Sequence, residues 1–219
     1  MTSCSTLTSM KKSILAAWLI TSLGASSALA LSTVSLSTVP GDSSGGLGGG
    51  AFFAATLSEG TFKTFCVEAS VHMALGTTYY YDWSNVVQVQ NDPISLGSAL
   101  LMNNYALGLF GADYTLWGGA TGLQQAFWFL ENEAGGVNNS FVAYAGGILG
   151  AQLLNDANGA YGVKVMNLWS NSNGTGDVQS QIAYFGEERT QTVPDAGSTL
   201  VLLGLALGSV ACCLRQRKR

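Results

Sequence analysis

The sequence holds four cysteines and one histidine, so thiol chemistry is the first kind its residues suggest. Cys4 lies near the start and Cys212 with Cys213 near the end, which leaves Cys66 alone in the body of the chain. His72, six residues on, is the only imidazole that could activate it as a base. On one extended segment, six steps of about 3.3 Å separate the two by roughly 20 Å, out of hydrogen-bond reach unless the chain turns at Ala69 and Ser70. A Cys-His hydrolase is therefore a minor reading, and His72 is expected to be a surface or packing residue. One Cys and one His do not make a four-ligand zinc site, and no cofactor is called for. Glu68, Asp82, Glu131 and Glu133 are available as bases, but nothing in the sequence selects one, and solvated surface is the default role for each.

Another partner for the thiol lies further along the chain. Phe65, Cys66, Val67 and Glu68 end a strand-like run, and about sixty positions later come Leu123, Gln124, Gln125, Ala126, Phe127 and Trp128. These two motifs resemble the thioester domains of bacterial surface adhesins, which carry an aromatic-Cys-aliphatic motif and a later Thr-Gln-x-Ala followed by an apolar residue and Trp. Leu123 stands where that motif has Thr. The resemblance implies that Cys66 is the thiol and Gln124 the amide of an internal thioester, with Phe65, Gln125, Ala126 and Trp128 as supporting residues. It implies a protein that holds an electrophile ready for a nucleophile of a target, such as a lysine amine, in a single covalent capture without enzymatic turnover. Elementary chemistry asks that the two groups be held close in a water-poor pocket, which Phe65, Phe127 and Trp128 could line. The bland counterpart is a small buried cysteine beside an amphipathic core helix.

Both ends of the chain read as addresses. Lys11 and Lys12, an apolar run over 14–23 and Ala28-Leu29-Ala30 have the order of a signal peptide, so residues 1–30 are expected to be removed, whether translation starts at Met1 or Met10. Residues 199–214 carry no charge and are followed by Arg215, Arg217, Lys218 and Arg219, the pattern of a membrane-spanning helix with its basic end in the cytoplasm. Val193, Pro194 and Asp195 stand just before it. The whole of 191–219, motif, span and basic tail, resembles the PEP-CTERM sorting signal in its Val-Pro-Asp variant. That resemblance implies recognition by an exosortase-type transpeptidase, transient anchoring in the inner membrane of a Gram-negative bacterium, and delivery to the cell surface or to an exopolysaccharide or biofilm matrix. The plain alternative is a C-terminal membrane anchor.

Trimming sharpens the composition. Residues 31–192 keep three basic residues, Lys63, Lys164 and Arg189, against twelve acids, a net charge of −9 that excludes nucleic acid as a partner. One cysteine cannot form an intrachain disulfide in an oxidising compartment, so Cys66 needs a reason to be present.

The elements that would position these residues follow from local pattern. Residues 31–50 are rich in Ser, Thr and Gly and read as a flexible lead-in to a domain over 51–190. Runs at 51–57, 61–68, 77–82 and 86–90 read as strands, and 161–169 and 178–185 as two more. Between them, helical spacing appears from Asp92-Pro93 to Leu109, over 121–133 with Thr121 as N-cap, and over 140–156. The expected fold class is α+β, an antiparallel β-sandwich or barrel framework with a helical insert and no alternating βαβ order. The Tyr79-Tyr80-Tyr81 run supports a second function, a non-reactive structural or carbohydrate-binding matrix protein whose aromatics stack on sugars. Strand alternation opposes it by turning Tyr80 away from its neighbours, with at least one of the three in the core.

Overall fold

The computed structural model describes residues 31–43 and 50–186. The signal-peptide and sorting-signal segments, with Val193, Pro194 and Asp195, lie outside these described residues. Within them, no helix is long and apolar enough to cross a membrane.

Six strands close into an antiparallel barrel: β1 (Ser32–Ser43), β2 (Gly50–Thr56), β3 (Gly60–Cys66), β4 (Thr78–Ser84), then, after the helices, β7 (Val163–Trp169) and β8 (Asp177–Tyr184). Their order around the barrel is β1-β2-β3-β8-β7-β4. A two-stranded ribbon, β5 (Val86–Val87) with β6 (Asp92–Pro93), leads into the insert. The insert comprises α1 (Leu96–Ala106), the single turn α2 (Asp113–Leu116), α3 (Gly119–Leu130) and α4 (Ser140–Leu149). The antiparallel framework and the helical insert thus stand as the hydrophobic pattern implies.

The lead-in is different. Residues 32–43 form a full barrel strand that pairs with both β2 and β4. Its Val34 and Leu36 alternate into the core despite the Ser and Thr between them, and a register shift between Thr38 and Ser43 accommodates Pro40 and Gly41. The run at 86–90 shrinks to the two residues of β5, and α3 starts at Gly119 instead of Thr121. Gly118, in left-handed conformation at φ 102°, caps α3, because a residue with a Cβ rarely adopts that backbone. The third helix ends at Leu149 and runs on as a 3-10 turn, Gly150–Gln152.

Two cores result. Val34, Leu36, Ala54, Tyr79, Tyr81, Met166, Leu168 and Val178, all from strands, fill the barrel. A larger cluster lies between barrel and helices and includes Phe65, Ile182, Leu123, Phe127 and Phe141. Tyr79 and Tyr81 are buried and Tyr80 half-buried, so the tyrosine run packs in the barrel more than it faces solvent. Helices α3 and α4 are tied together through Asn139, which caps α4 by accepting from Phe141 N and Val142 N and donates to the Gly122 carbonyl at 2.7 Å.

Gly122 is pinned by this packing: a Cβ there would lie 2.3 Å from the Trp117 carbonyl oxygen and 3.3 Å from the Phe141 ring. Gly122→Ala is expected to lower stability by about 1–3 kcal/mol through overpacking. Gly147→Ala, at an exposed α4 position with nothing within 4 Å, should raise it by up to ~1 kcal/mol through helix propensity. Urea denaturation of the two variants checks both signs.

Candidate functional site

Cys66 is the last residue of β3 and is 2% exposed. On one side it pairs with Gln181 of β8. On the other, the ladder to β2 stops at Thr64, opposite Phe52, and leaves the Cys66 backbone without a strand partner. Gln124 of α3, fully buried, supplies what is missing: its Oε1 accepts from Cys66 N at 3.0 Å and its Nε2 donates to Cys66 O at 2.6 Å. One side-chain amide thus replaces a strand's donor and acceptor, satisfying two buried backbone groups.

Sequence reasoning paired Cys66 with Gln124, and the structure brings the two together across 58 positions, by way of the cysteine backbone. The side chains hydrogen-bonded to the sulfur are two others, Gln179 and Gln181. Cys66 Sγ lies 2.9 Å from Gln179 Oε1 and donates to it, and Gln181 Nε2 donates to the sulfur at 3.6 Å. The amide carbon of Gln179 is one carbonyl bond of about 1.2 Å from that oxygen, which places it within roughly 4 Å of the sulfur. Gln181 is itself held by Thr64 Oγ1, 3.3 Å from its Oε1.

The register of β3 with β8 brings these residues to Cys66, with Gln181 opposite it and Val67 N donating to Ser180 O, and β8 carries a bulge on its β7 side at the same place. Met166 pairs with Gln181 and Leu168 with Val178, so two steps along β7 face three along β8. The extra residue falls at Gln179-Ser180, and bulges are common beside functional sites.

Glu68 completes the group. It is 1% exposed, its Oε2 accepts from Ser180 N at 2.8 Å, and its own carbonyl accepts from Gln179 Nε2. Its Oε1 is buried and makes no hydrogen bond. Burial raises the Glu68 carboxyl above the usual range, partly offset by the bond from Ser180 and reinforced by the charges of Glu133 and Asp177. Burial likewise pushes the Cys66 thiol up to about 12, with the Gln181 bond acting against it and the Glu68 charge adding to it.

Of the other motif residues, Phe65 and Ala126 belong to the core between barrel and helices. Phe65 packs against Phe127 at 5.2 Å and edge-on to Tyr105 at 4.9 Å between ring centres. Ala126 is fully buried, Gln125 half-buried, and Trp128 is buried with its Nε1 unpartnered. His72 is exposed. Of the other acids, Glu131 accepts from Ser95 and Ser98 at the start of α1, Glu133 from Ala69 N and Gln90, and Asp82 from Trp83 N.

Gln179 and Gln181 carry no motif of their own. The signal available in sequence was the polar run Gln179-Ser180-Gln181 inside an otherwise apolar strand, an arrangement that asks for buried partners. No protein-family model matches the chain, and neither does any curated protein or solved structure.

Two outcomes follow from the geometry. Gln124→Ala strands a buried N–H and a buried C=O and is expected to cost about 2–4 kcal/mol, read from chemical denaturation. Where Cys66 is left as a thiol, as in Gln179→Ala, its alkylation at pH 8 should run roughly 1000-fold slower than in the urea-unfolded chain and climb about tenfold per pH unit, because thiolate is the reactive form.

Proposed function

We propose that this is an exported protein whose Cys66 forms an internal thioester with a buried glutamine and holds it for attachment to a nucleophile on a cell surface or matrix. The observation that carries the reading is the 2.9 Å approach of Cys66 Sγ to the Gln179 carboxamide. It favours Gln179 as the acyl donor. Gln124, with both amide ends engaged on the Cys66 backbone, then serves as the clamp that fixes the nucleophile. Gln181 donates to the sulfur and favours its charged form as attack begins.

The reaction is an acyl transfer: the sulfur adds to the amide carbon, the C–N bond breaks, and ammonia leaves. Holding both groups in a dry, fixed geometry supplies much of the barrier reduction and keeps water from the product. A thioester also gives a lone exported cysteine a reason to exist, since its sulfur is no longer a thiol. Opening by a target amine, such as a lysine, leaves an amide and releases the sulfur, a single capture without turnover.

Signal-peptide and sorting-signal patterns at the two ends support a route through the inner membrane of a Gram-negative bacterium, an exosortase-type transpeptidase and a final place on the surface or in its matrix. The partner is then a surface or matrix polymer or protein bearing a nucleophile.

Intact mass of the purified chain tests the core of this reading. A loss of about 17 Da, absent from Cys66→Ala and from Gln179→Ala, is expected for the expelled ammonia. Methylamine treatment should then label the Gln179 peptide; a label on the Gln124 peptide would move the acyl donor to Gln124. A full-mass protein with a titratable Cys66 thiol would sink the thioester altogether.

A further inference from the structure

Resting on the thioester reading, we propose that Glu68 is the proton shuttle of this site, taking the proton from Cys66 and delivering it to the departing nitrogen of Gln179. Thioester formation turns a thiol and an amide into a thioester and ammonia, so one proton must pass from sulfur to nitrogen while nothing is consumed. A buried thiol loses that proton reluctantly and an amide nitrogen leaves poorly without gaining it. The site therefore needs a group able to accept and return a proton close to both.

Three separate observations point to Glu68 for that role. It lies two residues from Cys66, and its carbonyl already holds the Gln179 nitrogen that must leave. Its carboxylate is anchored by one oxygen, Oε2, to Ser180 N, the residue next to Gln179. The other oxygen, Oε1, is fully buried without a partner, an unusual state for a carboxylate unless it has work with protons. The alternatives are occupied: Glu133 is spent on Ala69 N and Gln90, Asp177 accepts from Gln88, and His72 is exposed. The two lysines of the described residues lie elsewhere, Lys63 beside Asp42 and Lys164 over the Phe185 ring.

The steps balance. The Glu68 carboxylate removes the Sγ proton as the sulfur adds to the Gln179 amide carbon. The resulting carboxyl then protonates Nε2 as the C–N bond breaks, so ammonia leaves and the carboxylate is restored. The charges facing Glu68 are those of Glu133 and Asp177, both negative, together with any thiolate at Cys66, and all favour a carboxyl that holds a proton closer to neutrality than usual. That poise suits a group that must both take and give.

The test follows the loss of about 17 Da against time and pH, in the full chain recovered unfolded from inclusion bodies and refolded by dilution. Glu68→Gln keeps an acceptor for Ser180 N but cannot shuttle. It is expected to slow thioester formation on the order of 100-fold and to abolish the pH-dependent limb of the rate. Glu68→Asp should retain the limb at a reduced rate, and provides the comparison should Glu68→Gln fail to fold. Glu133→Gln, which removes a neighbouring charge and one acceptor but leaves Glu68 in place, should keep the limb. If the native chain loses ammonia and Glu68→Gln does so at the same rate with the same pH profile, Glu68 is no shuttle. The same holds if Glu68→Asp loses the limb. Should the native chain keep its full mass, the thioester reading itself fails and takes this one with it.

Discussion

The arrangement around Cys66 depends on a hydrogen-bonded pair that belongs to neither strand nor helix alone, the Gln124 amide against the Cys66 backbone. A closed barrel leaves no open sheet edge, yet the ladder between β2 and β3 stops two residues before the end of β3, and the last of these is buried. Its N–H and C=O would be desolvated without partners, at a cost of about 1–3 kcal/mol each. The helical insert meets that requirement with one glutamine. The insert therefore acts as more than a lid on the apolar face of the barrel, because it completes a sheet ladder, and the sulfur sits where it does because α3 fixes the backbone that carries it.

The polar groups beyond that pair make the site expensive and give it its character. Cys66, Glu68, Gln124, Gln179, Ser180 and Gln181 are all buried. Most have partners. The exceptions in this group are Glu68 Oε1 and Ser180 Oγ, and among the described residues Gln88 Oε1 and Trp128 Nε1 are buried without a partner as well. A fold selected for stability alone would fill such a pocket with apolar side chains, since a partly satisfied polar network is worse than none. Retaining three amides and an acid around one thiol points to chemistry as the reason for the composition. The low dielectric that penalises these groups also strengthens each directed hydrogen bond among them.

How far this could be read from sequence differs by element. The strands of alternating apolar residues and the helices with apolar stripes were legible, and so was the nearness of Cys66 and Gln124, through paired motifs. β1 was hidden because Ser and Thr occupy its outward positions and Pro40-Gly41 interrupts it, so composition pointed to a linker while the period-two placement of Val34 and Leu36 pointed to a strand. The start of α3 was misplaced because Thr121 is a chemically good cap, but Gly118 supplies a backbone turn that overrides it. Gln179 was out of reach for a deeper reason. It meets Cys66 across 113 positions, beside a bulge one residue long. No local pattern announces a single extra residue in a strand, and polar side chains in a strand read by default as solvent-facing.

A bond between Cys66 and Gln179 would have a mechanical consequence as well as a chemical one. It would join β3 to β8, neighbours already held in register at Cys66 and Gln181, so little native distortion is needed to form it. By the loop-closure argument used for disulfides, tying together residues that far apart restrains the unfolded chain by about 5 kcal/mol. Residues 31–192 hold no second cysteine with which to make such a staple, and the thioester would take its place. Capture, on the proposed reading, would exchange one restraint for another: the bond within the barrel would open, and the acyl group, still on β8 and inside the closed ring of strands, would become the point at which the target is held. Load on the target would enter the fold at β8, which is hydrogen-bonded on both sides by β3 and β7, instead of at a terminus. On that proposal, an acyl group carried by a strand paired on both sides would let the domain lose its internal crosslink and still resist being pulled apart by what it catches.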